Sequence, residues 1–219
     1  MNQTLRFTSP CDSLARVKLP YKVATLLYCF NDRGEVLLLE RAQEPNRGFW
    51  SPCGGKVHID EGESPYACAC REAEEEIGLK ITASDLHLIG VVSEHAYGGQ
   101  GHWLIFLFEV KPRLKECPPK HREGTFCFFP RERISSLHIP QTDREIIWPL
   151  IWQHRGGFFA AHWKWFPDGR TEWVMEESRP AQGRARCSQP AETSALPERR
   201  GEDTAPYPVA LDSRPSTLD

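Results

Sequence analysis

The stretch 68–80, CACREAEEEIGLK, decides how this chain is read. At about 100° per residue, Glu72, Glu75 and Glu76 fall within an arc of ~100° on one helix. Like charges three and four residues apart on a helix repel by a few tenths of a kcal/mol each. Away from bulk water the cost rises: two carboxylates ~6 Å apart at an effective dielectric of ~20 repel by roughly 3 kcal/mol. Tyr66, Cys70, Ala73 and Ile77 group on a different face, which is expected to pack against a sheet. A solvated acidic face would explain the charges without any ligand, since repulsion of this size does not by itself demand a metal.

The residues before the helix shift that balance. Positions 51–64 read SPCGGKVHIDEGES: two glycines closing a strand, an acidic loop, then a helix start. Paired glycines let the backbone approach a ligand closely. Ser64 suits the N-cap, Pro65 the first helical position and Gly78 the stop. Hard divalent cations such as Mg²⁺ take oxygen ligands, keep several waters and share a substrate's phosphates.

Outward from this box, positions 21–41 predict two strands around the turn NDRGE, and a short strand enters WSPCGGKV after the loop AQEPNRGF. The runs LHLIGVVSEHA and HWLIFLFEV flank YGGQG and predict paired strands, and FCFFP predicts another. TDREIIWPLIWQHR has helical spacing, with Pro149 expected to kink it. FFAAHWKWFPDGRTEWVM predicts a hairpin with PDG at its turn. The domain reading is a lead-in over 1–20, a domain over 21–156, a hairpin-like extension over 157–177 and a disordered tail over 178–219. The tail has one aromatic residue and frequent proline, too little apolar surface to offset ordering entropy. No internal repeat is present.

The chain has 219 residues, 40% hydrophobic and 26% charged, which is ordinary for a globular protein. A net charge of -3 and a pI near 6.3 argue against broad binding to nucleic acid or an anionic membrane. No apolar run approaches the ~18 residues that span a bilayer, and the N-terminus lacks the apolar core of a secretory signal. Eight cysteines stand at 11, 29, 53, 68, 70, 117, 127 and 187 with no C-x-x-C spacing, which predicts free thiols in a reducing, cytoplasmic setting rather than a zinc site.

The stretch 54–79 resembles the signature of the Nudix hydrolases: Gly, five residues, Glu, seven residues, then Arg-Glu-apolar-x-Glu-Glu-x-Gly-apolar. Here REAEEEIGL supplies Arg71, Glu72, Ala73, Glu75, Glu76, Gly78 and Leu79 in register, and seven residues before Arg71 stands Glu63. Seven residues, not five, separate Gly55 from Glu63. Glu61 has the five-residue spacing from Gly55 but lies too close to the glycines to keep the distance to Arg71. A two-residue insertion in VHIDEGE, with Glu63 in the family's role, is the economical reading. The resemblance covers about 23–154 and implies an α/β/α sandwich, a mixed sheet between the box helix and a C-terminal helix.

It also implies roles. Nudix enzymes hydrolyse a nucleoside diphosphate linked to another group, by attack of water on phosphorus, and metal ions neutralise the diphosphate and lower the water's pKa. By position, Glu72, Glu75, Glu76 and the carbonyl of Gly54 would hold Mg²⁺ or Mn²⁺, and Arg71 and Glu63 would pair to orient loop and helix. Glu123, in EGTFCFFP, matches a later carboxylate that completes a metal or acts as general base. Arg41 resembles a phosphate-contacting arginine, and Trp50, Phe49 and Tyr97 are candidates for stacking on a base. His58 and His95 are lesser candidates for touching substrate. The proline typical of many ADP-ribose hydrolases after the box is absent, which favours a nucleoside triphosphate, such as 8-oxo-dGTP, or a dinucleoside polyphosphate.

The partners expected are therefore a nucleotide-type small molecule, with no nucleic acid and no membrane, and a homodimer is compatible. A Nudix-fold module that binds a nucleotide or regulates without cleaving it is the alternative, and the intact glutamates disfavour it. A third reading makes the tryptophan-rich HWKWFPDGRTEW a protein-docking segment.

Overall fold

The computed structural model describes residues 21–43, 46–97 and 101–181. The lead-in over 1–20 and nearly all of the expected tail lie outside them.

Among the described residues, eight strands and two α-helices make a mixed α/β fold. Strands β1 (Tyr21–Tyr28), β5 (Gly101–Val110), β4 (Leu86–Tyr97), β7 (Phe158–Trp165) and β8 (Thr171–Arg179) form a five-stranded sheet in the order β1-β5-β4-β7-β8. The β1–β5 and β4–β7 pairs are parallel, and the β4–β5 and β7–β8 pairs are antiparallel. A smaller antiparallel sheet has the order β3-β2-β6, from β3 (Trp50–Ser51), β2 (Val36–Arg41) and β6 (Gly124–Phe129). Alternation along β2 serves two cores at once. Val36 and Leu38 join one apolar cluster with the segment 146–151, while Leu37 and Leu39 join the other with Ala69, Ala73 and Ile77.

Helix α1 (Pro65–Ile77) starts and stops where its punctuation dictates. Ser64 is extended, and its hydroxyl accepts from Ala67 N–H at 3.1 Å. Gly78 takes a left-handed φ of 66°, and the N–H groups of Gly78 and Leu79 return to Glu74 and Ala73. The inward face differs from the sequence reading. Cys68, Ala69, Ala73, Glu76 and Ile77 are buried, whereas Tyr66 is exposed, touching Phe108 only by a ring edge, and Cys70 sits at the margin. Two alanines let this helix approach the sheet closely, and that rotation carries Glu76 and Glu72 inward while Glu75 stays exposed.

The Pro149 segment is divided as its chemistry requires. A π-helical turn, Asp143–Ile147, precedes α2 (Trp148–His154), and Trp148 N–H reaches back to Asp143 O. Proline has no N–H for the i−4 carbonyl, so the ladder widens by one residue just before it.

The 157–177 hairpin is built into the main sheet through β7, and β8 continues to Arg179, two residues beyond the boundary expected for the tail. Trp163 faces the core and Trp173 is exposed, so packing already employs part of the tryptophan-rich segment. The cysteines among the described residues are all free thiols. No helix among them is long and apolar enough to cross a membrane.

Candidate active site

The segment after β3 runs along β1. Thr25 N–H donates to Gly55 O and Leu27 N–H to Cys53 O, each at 2.8 Å. Gly54 adopts φ 141°, and a Cβ there would stand 2.1 Å from Thr25 O. At Gly55 a Cβ would stand 2.1 Å from Glu72 Oε1. Only glycines allow the backbone this close to β1 on one side and to the α1 carboxylates on the other.

The acidic arc therefore rests on the glycine pair. Glu76 is 9% exposed, and its Oε2 accepts from Gly54 N–H at 2.9 Å. Burial, helped by the charges of Glu72 and Glu123 and opposed by the Gly54 bond and Arg41, pushes its pKa up to about 8. Burial also raises Glu72, opposed by Arg71 and aided by Glu75 and Glu123. The Glu75 side chain is half-exposed and meets Arg71 Nη1 only at 3.5 Å. Glu123 ends the loop before β6, and its carbonyl accepts from Ala42 N–H, next to Arg41. Arg41 pairs with Gly124 across β2–β6, and its Nε is buried without a hydrogen-bond partner.

Arg71 ties loop to helix. Its Nε and Nη2 grip the two oxygens of Glu63 at 2.9 and 3.0 Å, Nη1 reaches Glu72 Oε1 at 2.6 Å, and Nη2 also donates to Lys56 O. The Arg71 guanidinium holds Glu63 below the usual carboxylate range. The longer loop closes on itself: Glu63 N–H returns to His58 O, and His58 N–H donates to Glu63 Oε2 at 2.9 Å. Gly62 turns at φ 70°, and Glu61 points outward beside the His58 ring. The two extra residues are absorbed in the turn, and Glu63 is the acid that meets Arg71.

The aromatic candidates separate. Trp50 is half-buried, edge-on to Phe129 at 4.7 Å, and Phe49 lies over His138 at 3.7 Å. Tyr97 is a core residue, 5% exposed and edge-on to Trp165 at 5.0 Å, so it offers little free face to a base. His95 packs on the His102 ring. The sequence reading did not single out a second buried polar group, formed by Glu94, Thr142 and Asp143 with Trp163 and Trp165. The available signal was an acid at an inward position of an alternating strand, Val92-Ser-Glu94. A hollow of about 450 Å³ beside His87, Gly157 and Arg179 shares no lining residue with either group.

Among the described residues, no three acidic, histidine or cysteine side chains already converge as a cation cage. The donor set nevertheless fits a hard divalent ion. It offers carboxylate oxygens massed beside backbone, and their mutual repulsion is answered by Arg71 at Glu72 and by the Gly54 N–H and the Arg41 charge at Glu76.

This mixed-sheet sandwich with a glycine pair under a glutamate helix places the chain in a known class. The NUDIX domain model matches residues 20–148, and the chain belongs to that family of hydrolases. A MutT protein from Bacillus halodurans shares the fold, with a TM-score of 0.56 and 23% identity, over 71% of this chain and 97% of that one. A MutT protein from Methanosarcina mazei Go1 does so at 0.52 and 24%, over 61% and 95%. Among curated relatives, an RNA pyrophosphohydrolase of Rhodospirillum rubrum is 38% identical over 72 residues, 33% of this chain and 41% of the relative. The dihydroneopterin triphosphate diphosphatase of Escherichia coli K12 is 35% identical over 72 residues, 33% of this chain and 45% of the relative. The chain thus spans less than half the length of these two relatives.

Proposed function

We propose that this protein hydrolyses a phosphoanhydride bond in a nucleotide or nucleotide-like triphosphate, with Mg²⁺ or Mn²⁺ as cofactor. The observation that carries the reading is the crowding of buried Glu76 and largely covered Glu72 against Gly54 and Gly55, with burial raising the pKa of both. A pure binding module has no need of such crowded carboxylates.

Glu72, Glu75, Glu76 and the Gly54 carbonyl would hold the metal, with Glu123 completing it or acting as general base. When bound, the metal supplies neutralisation of the diphosphate and a water of lowered pKa. Arg71 positions Glu72 and clamps the 58–63 loop through Glu63. Arg41, with a donor to spare at the end of β2, takes a phosphate oxygen. Trp50, on the strand that leads into the glycines, is the aromatic ring best placed to meet the substrate's heterocycle. The curated relatives named above act, by their names, on RNA and on dihydroneopterin triphosphate, and both names describe diphosphate-bond chemistry.

The test is product release from a panel of 8-oxo-dGTP, GTP, dihydroneopterin triphosphate, 5′-triphosphate RNA, diadenosine tetraphosphate and ADP-ribose, with and without Mg²⁺. Metal-dependent turnover of a triphosphate is expected. No turnover of any compound would leave the nucleotide-binding module as the better reading, and ADP-ribose winning by tenfold would overturn the triphosphate preference.

A further inference from the structure

The two edges of the five-stranded sheet differ. Along β1 runs the glycine segment, joined to it at Ala24–Lys56 and Leu27–Cys53. The outer side of β8 has no neighbouring strand among the described residues, because the sheet order ends there. The chain after β8 leaves that side open. A Cβ at Gly157 would stand 2.2 Å from Arg179 O and 2.8 Å from Ala181 N, so this segment stays beside the start of β7. The β7–β8 hairpin also lies beyond residues 20–148, so the family match does not account for it.

An open edge presents unpaired N–H and C=O groups to any strand that can align with it, and lysine or proline commonly blunts such edges. β8 contains neither over Thr171–Arg179. At its middle stand Trp173 and Val174, 40% and 52% exposed, one on each face of the sheet. Trp173 lies opposite Trp163, and Val174 opposite His162.

The hairpin turn fixes which backbone groups point outward. Phe166 N–H donates to Arg170 O at 2.9 Å, so the backbone of Arg170 faces β7. Direction alternates along a strand, so the backbone groups of Glu172 and Val174 face β7 too, and those of Thr171, Trp173 and Met175 face outward. The register shift between Ala160 and Ala161 leaves Glu176 as the extra residue of a bulge, which ends the regular run at Met175.

A second β8 can pair antiparallel about a two-fold axis when outward residues meet outward residues. With the axis at Trp173, Thr171 stands opposite the second copy's Met175, and Arg170 opposite its Glu176. Trp173 meets its own counterpart, and with Trp163 of each copy the indoles form one row on one face. Moving the axis to Glu172 sets that glutamate against itself, and moving it to Val174 sets Glu172 against Glu176. Like charges directly opposite destabilise a sheet, whereas opposite charges stabilise it. Arg170 and Glu176 are exposed, and Lys164 stands opposite Glu172 within each copy.

We propose that two copies of this protein join antiparallel through β8, centred on Trp173, with Arg170 of each copy against Glu176 of the other. The strand complements itself in backbone direction and in charge, which selects a second copy of this chain as the occupant. A strand-edge contact over 171–175 is smaller than the ~1,200 Å² of a standard interface, so a dissociation constant of about 1–100 µM is expected.

The experiment is sedimentation equilibrium of the whole chain across that concentration range. A monomer–dimer equilibrium is expected. Arg170→Glu and Glu176→Arg should each weaken the dimer by about tenfold, since either reverses both symmetry-related pairs, and the double variant should return to within about threefold of wild type. Trp173→Pro removes an outward N–H and the central ring while sparing the β7 ladder, so it should be monomeric with its circular dichroism retained. If that variant does not fold, the charge reversals decide alone. A monomer throughout, single reversals without effect, or a double variant no tighter than the singles overturns the proposal. A dimer lost on truncation after Ala181 also overturns it, by assigning the contact to the end of the chain.

Discussion

Glu76 Oε2 accepts the backbone N–H of Gly54 at 2.9 Å, which fastens the buried side of the acidic helix to the glycine segment. Two neighbouring glycines therefore answer to different constraints. A methyl at Gly54 meets the Thr25 backbone, and a methyl at Gly55 meets the end of the Glu72 side chain. Gly54→Ala should lower the melting temperature by several degrees, about 1–3 kcal/mol of strain and overpacking. Gly55→Ala should fold nearly as well as wild type while losing most turnover, because Glu72 can swing aside but then leaves its place. Calorimetry and a turnover assay on both check this, and equal stability losses would refute the distinction.

Glu75→Gln and Glu76→Gln should each remove most Mg²⁺-dependent turnover and leave the fold intact. Neutralising Glu76 relieves a buried charge, so its variant should melt no lower than wild type. Activity retained in both would sink the metal assignment.

Glu63→Ala should reduce kcat/KM by about 10–100-fold, the usual cost of losing a group that orients a ligand. Glu61→Ala should stay within about twofold, since Glu61 faces outward on the turn. The larger loss at Glu61 would be incompatible with the Arg71–Glu63 clamp.

The box helix and its caps were legible because their causes are local: a serine hydroxyl, a glycine at positive φ, and a seven-residue distance from Glu63 to Arg71. Most strands were legible for the same reason. The helix's inward face was not, because Tyr66 and Cys70 look apolar in sequence while Ala69 and Ala73 set the closest approach. Nor did periodicity reveal that the last hairpin joins the main sheet, since β4–β7 pairing is between distant segments. Glu94 and Asp143 stayed hidden because an acid amid polar neighbours reads as solvated until the opposite strand covers it.

The metal-free protein should lose stability as pH rises from about 5 to 8. Glu76 and Glu94 have folded pKa values of about 8, above the usual ~4.3. An acid raised on folding binds more protons in the folded state, so its favourable contribution is complete below the unfolded value and is lost on approaching the folded one. On the proposed reading Mg²⁺ would take the proton's place at Glu76, so the melting-temperature gain on adding it should grow across the same window. Thermal melts at several pH values with and without Mg²⁺ test both slopes, and a flat metal-free profile would contradict them.

Truncation after Glu177 should cost stability, whereas truncation after Ala181 should not. Ser178 Oγ hydrogen-bonds the buried His154 at 2.8 Å, and Arg179 still pairs with Phe158. Melting temperatures of the two shortened chains decide it, a gap of several degrees being expected.

The parallel pairing of β1 with β5 sets the order in which this molecule can assemble. Tyr21 meets His102, so the first strand of the main sheet has no neighbour there until the fifth has been synthesised. The β4–β7 pair repeats the delay, joining Gly90 to Phe159. Such long-range closures slow folding toward milliseconds to seconds, because loop entropy is lost before any contact compensates it. During that interval the edge of β4 stands open, and β7 is the strand that closes it. Refolding from denaturant should therefore show its slowest protein-folding phase in the tryptophan signal, as Trp163 enters the core last.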